Sequence, residues 1–278
     1  RMTKPGRRVF SEEDASSFYY EKERVIHMTL KEFFEEIPKA AVAFSGGTDS
    51  ALVLWAARKY GCDVRAYYAR TAFQPEFEWQ DARRLAAELE VPLKEVPVNI
   101  LEVPEVRVNG PKRCYYCKQA LFNALWEAAR ADGYHDLLDG TNASDDAGDR
   151  PGMAALRELK VRSPLRECGV TKQEVRRLSR EAGLFTWDKP AYACLATRIP
   201  TGRPIGAEDL VRIEEAENAL SRLGFSDFRV RLLDGAARLQ VTEKQTAMLI
   251  SKRKEILTAL RPYFSAVLLD LESRNPSM

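Results

Sequence analysis

An α/β fold, a parallel sheet covered by helices with a smaller α+β domain behind it, is predicted by three features of this sequence. Short apolar runs alternate with helical periodicity from residue 40 to residue 182. The first of those runs empties into a glycine-rich polar loop at a helix start. A segment marked by Pro and Gly at 200–204 then divides this alternation from a region where two strand patterns adjoin.

Taken in order, Phe33, Phe34 and Ile37 sit at helical spacing in an amphipathic segment that Pro38 closes, behind a polar leader. Strand patterns follow at 40–44, 64–68, 93–98 and 136–139, and helical patterns at 50–60, 76–90, 117–131 and 171–182. Strands separated by helices pair in parallel, and ligands of such sheets bind outside the carboxyl ends of the strands. Three loops should therefore lie together: the one at Ser45, the segment after Val98 that carries Cys114, and the one that starts at Asp139. The second domain reads as a charged helix at 207–223, strands at 228–233 and 237–241, one helix over 243–260 and a last strand at 266–271. At 278 residues the chain suits two domains, 1–200 and 201–278.

Positive and negative side chains nearly cancel, leaving a formal charge of +2, which disfavours a wide nucleic-acid footprint. The basic N-terminus has no apolar core behind it, and no apolar run approaches membrane-spanning length. A cytoplasmic protein without a membrane partner is expected. Five cysteines and no export signal suggest reduced, metal-bound or catalytic thiols in place of a disulfide framework.

The loop Ser45-Gly-Gly-Thr-Asp-Ser50 carries the first chemistry. Gly46 and Gly47 can take positive φ and admit a phosphate to the backbone. Ser45, Thr48 and Ser50 offer hydroxyls beside the unpaired amides of the helix start. No lysine follows the glycines, so this is not the Gly-x-x-x-x-Gly-Lys-Ser/Thr phosphate loop. With Asp49 to hold Mg²⁺, the loop suits the β,γ-pyrophosphate of ATP as a leaving group, hence transfer of AMP. It resembles the pyrophosphate loop of the ATP pyrophosphatase superfamily.

Arg113-Cys-Tyr-Tyr-Cys-Lys118 sets two thiols one turn apart at a helix start, where the dipole and the flanking cations should favour thiolate. Alone the pair fits a zinc half-site, a redox pair or an iron-sulfur half-site. Cys194 is the expected third sulfur. Three cysteines suit a [4Fe-4S] cluster with one open iron, whereas a closed zinc site would need Cys62 or Cys168 as well. Packing is the expected role of those two, and His27 and His135 lack metal-site spacing.

Six segments complete the pattern: Ser45–Ser50, Asp139-Gly-Thr-Asn-Ala-Ser-Asp-Asp146, Asp149-Arg-Pro-Gly152, Val161-Arg-Ser-Pro-Leu165, Trp187-Asp-Lys-Pro190 and Cys194-Leu-Ala-Thr-Arg-Ile-Pro200. Together they resemble the ATP-dependent sulfur transferases of nickel-pincer nucleotide synthesis, the LarE family of lactate racemase maturation. That resemblance implies an adenine nucleotide alpha hydrolase-like domain and adenylation of a carboxylate of pyridinium-3,5-biscarboxylic acid mononucleotide. Displacement of AMP by sulfur follows, and a thiocarboxylate results. One branch of the family has only the counterpart of Cys194 and gives up its sulfur. The other adds the Cys-x-x-Cys and a [4Fe-4S] cluster, and Cys114 and Cys117 put this chain with the second. The resemblance also implies a sulfide donor, a nickel-insertion protein of the same pathway as partner, and a homo-oligomer.

Further roles are expected from the same likeness. Gly140, Thr141 and Asn142 would read adenine or ribose, and Asp145 or Asp146 would add a carboxylate near Mg²⁺. Arg229 and Arg231 alternate on a strand as solvent-facing cations for substrate phosphate or carboxylate, with Glu217 their acidic, catalytic partner and Arg198 a further substrate contact. Tyr115 and Tyr116 could stack on the pyridinium ring. Competing readings are a sacrificial Cys194, an iron-sulfur-dependent tRNA thiolase, and a module that binds ATP or metal without turnover.

Overall fold

A computed structural model describes residues 28–145 and 151–274. Four strands, β1 (Lys39–Ala43), β2 (Asp63–Arg70), β3 (Leu93–Pro97) and β4 (Leu137–Leu138), form a parallel sheet in the order β3-β2-β1-β4. Side chains alternate strictly between its faces. Ala40, Val42, Phe44, Ala66 and Tyr68 enter one core; Ala41, Tyr67 and Leu137 enter the other.

Right-handed crossovers decide which helix covers which face. The first core receives α1 (Leu30–Glu36), α2 (Thr48–Lys59), α3 (Glu76–Glu88), α7 (Pro164–Glu167) and α8 (Lys172–Glu181). From β3 the chain reverses direction across the sheet to β4, so the short α4 (Pro104–Arg107) leads into α5 (Arg113–Ala131), which covers the opposite face with Leu125, Trp126 and Ala129. The reversal makes the β1/β4 junction the topological switch point, where ligands of open α/β sheets bind. α6 (Pro151–Glu158) packs against α5. Capping boxes at Thr29/Glu32 and Thr171/Glu174 start α1 and α8.

The C-terminal lobe holds α9 (Ala207–Arg222), β5 (Arg229–Leu233), β6 (Ala236–Gln240), α10 (Glu243–Ser251), α11 (Arg253–Leu260) and β7 (Val267–Leu269). β5 and β6 form a hairpin closed by Asp234-Gly235, both at positive φ, the chemistry a tight two-residue turn requires. β7 joins β6 in parallel. The single helix expected over 243–260 is two helices. Lys252 caps the first, its ammonium donating to Leu223 O at 3.0 Å while Ser251 Oγ donates to Met248 O at 2.8 Å.

The core of this lobe crosses the chain's midpoint. Phe73, Ile100, Val106, Leu195, Ala196 and Ile199 pack with Ile213, Leu220, Val230 and Leu239. The segment at 200–204 is pinned as well: buried Asn109 donates to Pro200 O at 2.9 Å and to Arg203 O at 3.0 Å.

Candidate active site

At the end of β1 the loop turns through Gly46 at φ +71°, where a Cβ would stand 3.0 Å from Ala82 N and from Glu78 O, so only glycine fits. Gly47 does not take the positive φ expected of it. At φ −84° it is the extended N-cap of α2, and no side chain caps the first turn, which leaves those amides for an anion. The hydroxyls have settled locally. Ser45 Oγ and Ser50 Oγ lie 3.1 Å apart, and buried Thr48 turns away to donate to Thr186 O at 2.8 Å.

The loop after β4 abuts this helix start. A Cβ on Gly140 would stand 2.6 Å from Ser50 N, so the absence of a side chain lets two backbones touch. Asp139 accepts from Thr141 Oγ1 at 2.5 Å and from Ser163 Oγ at 2.7 Å. Buried Asn142 donates to Asp49 Oδ1 at 3.1 Å and takes its own main-chain support from Asp145, whose Oδ2 accepts Asn142 N at 2.9 Å. Asp146 lies outside the described residues. Beside Ser45, on the α5 side of the sheet, a cavity of about 130 Å³ is lined by Ala43, Phe44, Tyr67, Ala69 and Leu121.

Two lysines reach the loop from far along the chain. Lys172, the first residue of α8, places its ammonium 2.6 Å from Asp49 Oδ2. Lys189 pairs with Asp81 at 2.7 Å and approaches Gly46 O at 3.4 Å. A loop without a lysine in sequence thus has two in space.

The cysteines fall into two groups. Cys62 and Cys168 are buried in the first core, whereas Cys117 and Cys194 pack against the core of the C-terminal lobe, and exposed Cys114 lies one turn before Cys117 on α5. Arg113 ties the regions together, donating to Asn109 Oδ1 and Ala196 O, both at 2.9 Å, and to Cys114 Sγ at 3.5 Å. For Cys117 the expectation of a stabilised thiolate is overturned. Burial, with the charges of Cys194 and Cys114, pushes the Cys117 thiol up to about 12, and burial raises Cys194 too; Arg113 and Lys118 oppose this with smaller effect. The three thiols share one electrostatic neighbourhood. Among the described residues, no three His, Cys, Asp or Glu side chains close on a point that would hold a single ion. Lys118, held below the usual lysine range by burial, connects the thiols to Asp139 and Asp145 by charge.

Across the cleft, the expected solvent-facing arginines are not on the surface. Arg229 is 4% exposed, donates to Phe228 O at 2.6 Å and Ala191 O at 2.8 Å, and is lowered to about 10 by burial and then by Arg198. Arg231 is half-buried, donating to Gln240 Oε1 at 2.5 Å and Thr197 O at 2.8 Å. Both point along one face of β5, but toward the chain around Cys194, because that face is covered by the 191–198 segment. Glu217 is buried and filled: Arg198 Nε and Val230 N bond Oε1 at 2.8 and 2.9 Å, while Arg198 Nη2 (3.1 Å) and Tyr192 Oη bond Oε2. A cavity of about 170 Å³ between the lobes is lined by Lys189, Tyr192, Glu217 and Arg229. Near it Glu78 carries a carboxyl raised to about 7, by burial first, against the pull of Lys189 and Arg198. Tyr115 faces elsewhere, its hydroxyl 2.6 Å from Glu158 Oε2 on α6 and its ring edge-on to Tyr116.

No protein-family model matches the chain. It is 37% identical over 251 residues to an uncharacterized protein of Synechocystis sp., covering 87% of this chain and 92% of that one. An uncharacterized protein of Methanocaldococcus jannaschii is 29% identical over 244 residues, 87% of this chain and 93% of that one. The pyridinium-3,5-bisthiocarboxylic acid mononucleotide synthase of Lactiplantibacillus plantarum is 33% identical over 217 residues, covering 77% of this chain and 79% of that protein. The chain belongs to that synthase's family.

In this member of the synthase family Arg229 lines the interlobe cavity with Lys189, which also reaches Gly46 of the loop, while Cys117 and Cys194 pack against the core of the C-terminal lobe. Sequence reasoning missed Lys172, Lys189, Tyr192 and Glu78. Lys189 stood within a quoted motif, Trp187-Asp-Lys-Pro190, but nothing local to it indicates Gly46 or Asp81 as neighbours. Tyr192 and Glu78 carry no motif at all; their importance comes from burial beside ionised groups.

Proposed function

We propose that this member of the synthase family inserts sulfur into pyridinium-3,5-biscarboxylic acid mononucleotide with ATP as activator. The observation that carries the reading is an uncapped helix start after a glycine turn at the switch point, linked through Lys189 to the interlobe cavity that buried Arg229 lines. A substrate carboxylate oxygen attacks the α-phosphorus of ATP, the bond to pyrophosphate breaks, and an acyl adenylate forms. Sulfide then attacks the carbonyl carbon, the bond to AMP breaks, and the thiocarboxylate leaves as an anion. A second round on the other carboxylate gives the bis-thiocarboxylate.

The chain's residues suit these steps. The α2 amides bind the pyrophosphate that departs, and Asp49, once free of Lys172, holds Mg²⁺ against it. Adenine takes the apolar cavity beside Ser45, with main-chain groups of the 140–142 loop near the ribose. Arg229 and Arg231 fix the substrate's anionic groups, and Arg198 with Glu217 fixes the strand that carries them. We assign a [4Fe-4S] cluster to Cys114, Cys117 and Cys194: burial makes the Cys117 and Cys194 thiols resist ionisation unless a cationic group takes the charge, exposed Cys114 lies one turn from Cys117, and both other cysteines lie in a separate core. Such a cluster would supply an open iron able to carry sulfide. Sulfide donor, nickel-insertion partner and homo-oligomeric assembly belong to the same proposal.

The test is anaerobic turnover of full-length protein with ATP, Mg²⁺ and the biscarboxylate nucleotide. AMP, pyrophosphate and a thiocarboxylate are expected, with Cys194 intact by mass spectrometry after several turnovers. ADP and orthophosphate would overturn the activation step. Conversion of Cys194 to dehydroalanine would replace the cluster by the sacrificial route.

A further inference from the structure

Both lysines at the loop are engaged by carboxylates, and the proposed chemistry needs one of these, Asp49, to be free. Lys172 and Asp49 are 25% and 26% exposed, and Lys189 and Asp81 are 16% and 31% exposed, so both pairs reach water and can exchange partners. Their backbones cannot wander. The amide of Lys172 donates to Ser144 Oγ at 2.9 Å, and the Thr171/Glu174 capping box fixes the helix start beneath it. Lys189 N donates to Thr186 O at 3.1 Å, the same carbonyl that anchors Thr48, and Arg176 reaches Trp187 O and Lys189 O at 3.3 and 3.4 Å. Each lysine is thus a firmly mounted stem with an ammonium whose present partner is a carboxylate about a quarter to a third exposed.

We infer that Lys172 and Lys189 are the phosphate clamp of the nucleotide site, and that Asp49 and Asp81 hold their ammonium groups in place until a polyphosphate displaces them. The inference rests on the ATP reading above and goes further, assigning the cations that the loop's own sequence lacks. The two have different stations. Lys172 stands against the first turn of α2 through Asp49, the side on which the uncapped amides receive the leaving pyrophosphate. Lys189 is shared between Gly46 and the interlobe cavity that Arg229 and Tyr192 line, which puts it on the side of the α-phosphate and the attacking carboxylate. A polyphosphate bears more charge than one carboxylate and offers more acceptor oxygens to an ammonium, so it displaces Asp49 and Asp81. Displacement also releases Asp49 to the metal, so metal and nucleotide should bind with positive coupling.

The experiment uses the full-length protein as wild type, Lys172→Met, Lys189→Met, Lys189→Arg and Asp81→Asn. Binding of Mg²⁺·ATP and of inorganic pyrophosphate is measured by calorimetry, with AMP formation and thermal unfolding alongside. Lys172→Met should weaken pyrophosphate binding about tenfold or more. Lys189→Met should leave pyrophosphate binding within about twofold and lower kcat for AMP formation roughly a hundredfold, with partial rescue in Lys189→Arg. Asp81→Asn should tighten ATP binding, because it frees Lys189, whereas a purely structural pair would lose stability and affinity together on removal of either partner. Unchanged pyrophosphate affinity in Lys172→Met, or parallel losses in Asp81→Asn and Lys189→Met, would overturn the clamp while leaving the ATP reading intact. Wild-type protein that binds neither ATP nor pyrophosphate would overturn the ATP reading, and the clamp with it.

Discussion

Two ion pairs, one at the Ser45 loop and one behind the arginine strand, differ in kind. Lys172 and Asp49 are each about one quarter exposed, at 25% and 26%, and touch few other groups; Arg198 and Glu217 are 0% and 7% exposed, and every lone-pair direction of the glutamate is taken. A pair that water reaches contributes little to stability and can be exchanged for a ligand. A buried and saturated pair cannot lose one member without stranding the other. The loop side is therefore open to a change of partner, and the arginine side is built to stay put.

The sharpest way to break this contrast is Glu217→Ala. It strands the Arg198 guanidinium and the Val230 amide and should cost about 3 to 5 kcal/mol in denaturant unfolding. A cost under about 1 kcal/mol would mean that the network is not a scaffold. Gly140→Ala comes next. Its methyl would meet the Ser50 amide, parting the two loops at a price of about 1 to 3 kcal/mol and a loss of AMP formation.

Glu78 gives a smaller effect, read through pH. Burial holds its folded-state pKa at about 7, above the ordinary carboxyl value of 4.5, so the native protein binds the extra proton between those values. This group's contribution is thus fully present below about 4.5 and is lost as pH rises through about 7. Glu78→Gln should flatten that slope and stabilise the protein above neutrality by on the order of 1 kcal/mol, after allowance for the surrounding cations. A slope unchanged in the variant would assign it to another group. Smallest in stability is Asp49→Asn, at about 0.5 kcal/mol or less, though Mg²⁺-dependent turnover should vanish. Equal losses of stability and turnover would place Asp49 with the scaffold.

How much was legible follows the same division. The strands at 40–44 and 64–68 announced themselves because both faces of the sheet are covered, which makes the first run apolar throughout and leaves Arg65 as the one charge in the second. The Ser45 loop was legible because its glycines, hydroxyls and helix are consecutive. Lys172 and Lys189 were not, since 123 and 143 residues separate them from Asp49 and Gly46. The cations flanking Cys114 and Cys117 are visible in sequence and argue for thiolate, but the burial that outweighs them is a property of the assembled lobes. For the same reason Arg229 read as a surface charge: strand alternation gives its face, and only the 191–198 segment lying over that face removes the water. The break at Lys252 has no Gly or Pro to mark it.

The Pro200 segment bears on how the molecule can be divided. Asn109 holds that segment on both sides, and Phe73, Ile100 and Val106 are buried among residues that come a hundred positions or more later. A cut there would leave an apolar wound on each fragment, so neither half is a module that can be lent to another chain.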